Sequence, residues 1–147
     1  MTGSQTPLNH DASTRRVAIV AARFNGALVD QLVEGASRAW RRYGGADSRL
    51  AVQRVPGAFE LPLAALKFAA SGEYHAVIAL GCVIRGDTPH FDYVAGECAR
   101  GLMDAGLATG VPVISSPKAA MPCNCLGVDS TCMRVTPRSL RICAPMP

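Results

Sequence analysis

Val17-Ala18-Ile19-Val20-Ala21-Ala22-Arg23-Phe24-Asn25-Gly26 decides how this chain folds. Six consecutive apolar residues without alternation read as a short strand covered on both faces. Asn25 and Gly26 tolerate the backbone angles of a turn, so the strand is expected to stop there and release the chain into a new element. That element is a helix over residues 27–43. Leu28, Leu32, Ala36, Ala39, Trp40 and Tyr43 recur at helical spacing, and Gly44-Gly45 supplies the stop.

The same unit repeats downstream. Leu50-Ala51-Val52-Gln53-Arg54-Val55 is a second strand, closed by Pro56-Gly57. A helix over residues 59–70 follows, with Pro62 in its first turn, where a missing N–H does no harm. Ala76-Val77-Ile78-Ala79-Leu80 is a third strand, running into Gly81-Cys82-Val83-Ile84 and a polar loop over residues 85–89. A helix over residues 91–108 then leads through Gly110 to a fourth short strand, residues 111–114. The order β-α-β-α-β-α-β with right-handed crossovers predicts an α/β fold: a four-stranded parallel sheet with helices on both faces. Ligands in such sheets gather at the carboxyl ends of the strands. Phe24-Asn25, residues 57–60 and residues 81–90 all fall there, which predicts one shared site.

Composition narrows the function. The chain has 147 residues, 49% of them hydrophobic, enough for one domain with a sizeable core. No run approaches the ~20 apolar residues of a membrane helix. The first fourteen residues are polar and read as a flexible arm without a secretory h-region, so a cytoplasmic protein is expected. The net charge is +4, but residues 1–114 hold eleven Lys/Arg against ten Asp/Glu, while residues 115–147 hold four against one. Most of the excess therefore sits in the tail. No basic stripe with interleaved aromatics points to nucleic acid.

Cys82 and Cys98 lie in apolar segments and read as small buried residues. Cys123, Cys125, Cys132 and Cys143 crowd into the end of the chain. The Cys123-x-Cys125 gap is too short for the usual zinc hairpin and no histidine lies nearby, so a metal site is not expected. Residues 115–147 also contain five Pro and three Met and lose all periodicity. They read as an atypical, poorly ordered tail behind a domain over residues 15–114: either an out-of-frame terminus or a specialised one.

Arg85-Gly86-Asp87-Thr88-Pro89-His90 joins a buried strand to a helix. Gly86 admits close backbone approach, and free N–H groups with the Thr88 hydroxyl suit phosphate oxygens beside the helix N-terminus. The plainer alternative is an ordinary helix-entry turn. His90, at the helix start, is a candidate for proton transfer or simply a polar capping residue. Phe24 either stacks on a flat heterocycle or covers the core's edge. Glu60 either accepts hydroxyls of a polyol or complements a helix dipole. His10 and His75 have no comparable setting and read as surface residues.

Taken together, Ala22-Arg23-Phe24-Asn25, Val55-Pro56-Gly57-Ala58-Phe59-Glu60, residues 81–94 and Gly110-Val111-Pro112-Val113-Ile114 resemble the lumazine synthase family, in family order and spacing. The resemblance implies a three-layer, flavodoxin-like α/β/α sandwich. It implies a transferase of riboflavin biosynthesis that joins 5-amino-6-(D-ribitylamino)uracil to 3,4-dihydroxy-2-butanone 4-phosphate. The product is 6,7-dimethyl-8-ribityllumazine, with release of phosphate and water and no cofactor. By resemblance Phe24 stacks on the pyrimidine. Ala58, Phe59 and Glu60 hold the ribityl-bearing substrate, and Cys82, Val83 and Ile84 bind the pyrimidine edge. Gly86, Asp87 and Thr88 take the phosphate, and His90 transfers protons. Apart from the resemblance, Asp92, two residues after His90, is a candidate to tune or orient it.

The family also implies self-association in rings of five or larger assemblies, in which a phenylalanine and an arginine reach each site from a neighbour. Here Ser115 stands at the phenylalanine position and Asp129 where the arginine is expected. The family's two closing helices have no counterpart in the tail's sequence, which predicts poor ring formation. An impaired or non-catalytic family member is therefore the alternative to an active enzyme. An unrelated phosphate- or nucleotide-binding α/β module is the third reading.

Overall fold

The structure, a computed structural model, describes residues 11–84 and 90–120, with residues 116–120 described as backbone alone. The elements run β1 (Val17–Ala22), α1 (Gly26–Arg42), β2 (Leu50–Val55), a 3-10 turn (Ala58–Glu60), α2 (Leu61–Ala70), β3 (Ala76–Ile84), α3 (His90–Thr109) and β4 (Val113–Ala120). A further 3-10 turn, Asp47–Arg49, leads into β2. The four strands form one sheet in the order β2-β1-β3-β4, and every pairing is parallel.

β1 is the centre of the molecule. All six of its residues are buried, as the unbroken apolar run requires. Alternate side chains feed opposite cores. Ile19 and Ala21 join Leu80 and Cys82 beneath α1, whereas Ala18 and Val20 join Val77 and Ala79 beneath α2 and α3. The result is an α/β/α sandwich of flavodoxin-like strand order. Each fully buried side chain of the size of Ile19 or Leu61 contributes roughly 1.5–3 kcal/mol.

The structure departs from the sequence expectation in three places. On α1 the inward stripe is Val29, which is buried, with Leu32, Val33 and Ala36 partly buried beside it, while Leu28 and Tyr43 are exposed. The helix's rotation is set by where it leaves β1, which periodicity alone does not specify. The first turn of the 59–70 helix is 3-10, and the α-helix proper starts at Leu61. The fourth strand was expected to end at Ile114, yet it runs to Ala120. Its pairing with β3 extends from Val77↔Val113 to Ile84↔Ala120. Backbone pairing to a long neighbour is indifferent to the polar side chains of Ser115 and Ser116, and an edge strand accommodates Pro117. The first six residues of the expected tail thus belong to the sheet. Residues 121–147, with their four cysteines and the question of closing helices, lie outside the described residues, as do residues 1–10.

α2 and α3 pack closely. A Cβ added to Gly101 on α3 would lie 2.8 Å from the Pro62 Cβ on α2. Each of the three helices is followed by a glycine with positive φ: Gly44, Gly72 and Gly110.

Candidate active site at the β1/β3 switch point

In the order 2-1-3-4 the chain departs in opposite directions from β1 and β3, opening a crevice at their carboxyl ends. The backbone there is built in steps. Arg23 N–H donates to the Val55 carbonyl at 2.8 Å and Phe24 N–H to the Pro56 carbonyl at 3.1 Å, extending the β1–β2 ladder beyond β2. Asn25 then takes a left-handed conformation, φ 56°, and turns the chain into α1. Its Nδ2 donates to the Cys82 carbonyl at 2.8 Å, tying the exit of β1 to β3. Across the crevice, Gly57 N–H donates to Glu60 Oε2 at 2.8 Å and closes the turn before α2.

These segments and the start of α3 enclose a cavity of about 890 Å³, within the range of a substrate pocket. Phe24, Ala58, Phe59, Glu60, Cys82, Val83, Ile84 and His90 all line it. The structure therefore brings together every described residue expected to touch substrate or transfer protons, but not Asp92. Phe24 is 70% exposed, so it does not cover the core's edge; its ring is available to a ligand. Phe59 is similarly open, whereas Cys82 is buried in the wall. Glu60 serves its turn through one carboxylate oxygen. His90 is exposed at the first position of α3, and Asp92 is exposed away from the cavity lining. Gly86, Asp87 and Thr88 lie outside the described residues. His75 is exposed, as expected, and its Nδ1 accepts the Arg16 N–H at 3.0 Å.

The lining includes residues that sequence reading did not single out. Tyr93 and Glu97 on α3 are two, whereas Asn25 was expected there with Phe24. The signal was present: His90, Tyr93 and Glu97 stand at i, i+3 and i+7, one face of a helix. Glu97 pairs with Arg100 one turn on. That hydrogen bond, and then the Glu97 charge, push the Arg100 guanidinium above its ordinary range. Cys98, on the buried face of α3, has its thiol raised by burial. Among the described residues no group of three or more His, Cys, Asp or Glu is placed to hold a metal ion. No described helix is long and apolar enough to cross a membrane.

The family model of 6,7-dimethyl-8-ribityllumazine synthase matches residues 14–116, well over half the chain. The chain belongs to the lumazine synthase family. That membership agrees with the parallel α/β sheet and ties the chain to riboflavin biosynthesis in general. The match extends across β1, both turns that frame the cavity, α3 and the start of β4.

Proposed function

We propose that the cavity at the β1/β3 switch point binds 5-amino-6-(D-ribitylamino)uracil and condenses it with 3,4-dihydroxy-2-butanone 4-phosphate. The carrying observation is that Phe24, Ala58–Glu60, Cys82–Ile84 and His90, drawn from three separate family-matched segments, line one cavity. Phe24 supplies a face for the pyrimidine. Backbone groups of Cys82, Val83 and Ile84 read its edge, which leaves the identity of the Cys82 side chain free. The Glu60 oxygen that has no partner among the described residues accepts ribityl hydroxyls. Gly86, Asp87 and Thr88 receive the phosphate ester at the N-terminal end of α3, where the helix dipole favours an anion.

The reaction needs proton transfers more than it needs a cofactor. The 5-amino group adds to the ketone and water leaves. Phosphate is then eliminated, the enol tautomerises, and the ribityl-bearing nitrogen closes the ring with loss of a second water. His90 is the group assigned to move protons at these steps. Holding both substrates in one cavity supplies much of the remaining advantage.

Ser115 favours a second reading, an impaired family member. It stands on edge strand β4 where the family is expected to lend an aromatic cover to a neighbouring site. Turnover of the purified chain with both substrates, beside His90→Ala, separates the readings. Product formed at a rate dependent on His90 supports the enzyme. Binding of the pyrimidine without turnover supports the impaired member. Absence of both would sink the assignment of the cavity.

A further inference from the structure

Glu60 and Glu97 are the two carboxylates of the described cavity lining, and they enter it from the 3-10 turn and from α3, which pack against each other. The two are held alike. Glu60 is fixed through Oε2 by the Gly57 N–H, and Glu97 through Oε2 by the Arg100 guanidinium. In each case the other oxygen has no partner among the described residues. A carboxylate held by one oxygen loses little freedom when the other accepts a hydroxyl, so both are preorganised acceptors. Glu97 is half exposed, with its side chain open to a ligand. It stands seven residues after His90 on α3, roughly 10 Å along the helix axis at ~1.5 Å per residue. That distance removes it from proton transfer at His90 and places it with the part of a ligand remote from the reacting atoms.

We propose that Glu97 is a second hydroxyl-binding carboxylate for the polyol chain of the substrate, and that Arg100 is its positioning residue. The inference rests on the reading of the cavity as the ribitylaminouracil site. It adds a specificity element: a ligand with a hydroxylated chain is gripped between the turn before α2 and the second turn of α3, while the ring is held elsewhere. Recognition of the chain is then divided between two elements rather than assigned to Glu60 alone.

The test compares two fluorescent probes by titration: 6,7-dimethyl-8-ribityllumazine and 6,7,8-trimethyllumazine, which keeps the ring and replaces the polyol with a methyl group. Charge-assisted hydrogen bonds of this kind are expected to make Glu97→Ala weaken the ribityl probe roughly ten- to a hundredfold. The methyl probe should be unaffected. Arg100→Ala should reproduce part of that loss, and Arg100→Lys should restore some of it, with no change for the methyl probe. Equal losses for both probes, or none for either, overturn the proposal while the parent chain's binding of both probes upholds the site. Failure of the parent chain to bind either probe overturns the site reading itself, and this inference with it.

Discussion

Asn25 does two things that no neighbouring residue type does equally well. Its backbone occupies the left-handed region at φ 56°, and its side chain bonds the Cys82 carbonyl. Asn25→Gly removes the hydrogen bond but keeps the turn, so a loss of about 1 kcal/mol is expected. Asn25→Val also places a β-branched residue in the left-handed region and should cost ~1–2 kcal/mol beyond the glycine variant. Urea denaturation of the pair checks this; equal stability would show that the turn is not strained for ordinary residues. For the proposed chemistry, His90→Ala should lower turnover by about 10²–10⁴ with little change in binding of the ribityl probe. Phe24 shows how far residue-level reading reaches. Its place at a strand end left stacking and core cover equally open, and only its exposure in the folded chain separates them.

At the scale of elements, α2 and α3 test whether close approach outweighs helix propensity. Alanine is better than glycine in a helix by ~1 kcal/mol. At position 101, however, the added methyl meets the rigid Pro62 ring. Overpacking of this kind costs about 1–3 kcal/mol, so Gly101→Ala should lower the denaturation midpoint; a raised midpoint would show that the helices part freely. Cys98 gives a second test on the same helix. Burial raises its thiol pKa, so the thiolate is disfavoured and native Cys98 should resist alkylation at pH 8, reacting only after unfolding. Above the ordinary value of 9.0 the unfolded chain releases this proton more readily than the folded one, so burial of Cys98 weakens stability only at alkaline pH. β1 and β2 both have the bounds expected from their sequences; in β1 burial of all six residues on the sheet selects the apolar run directly, whereas edge strand β2 buries only Val55 and ends at Pro56. β4 does not, because its outer half is held by backbone pairing that leaves no hydrophobic trace.

For the whole molecule, the described lining of the cavity draws on the exits of β1, β2 and β3, on the 3-10 turn before α2 and on the start of α3. The aromatic and cationic groups that the family is expected to borrow have no sequence counterpart at Ser115 and Asp129. Losing one group that stabilises a developing charge costs about 10²–10³ in rate. Turnover is therefore expected at least that far below a complete shared site, measured as product formation per subunit. Sedimentation velocity should show association that depends on concentration and stops short of a stable ring of five. A monodisperse pentamer at micromolar concentration would refute that expectation.

The order of elements, the parallel sheet, the family and the candidate residues from Phe24 to His90 were determined by the sequence alone. Each depends on local apolar runs, turn residues and motif spacing. The face that α1 buries, the reach of β4, the exposure of Phe24 and the entry of Tyr93 and Glu97 into the cavity were decided only by the tertiary structure. They depend on how separate elements are rotated and registered against one another, which is set by packing between residues far apart in the chain.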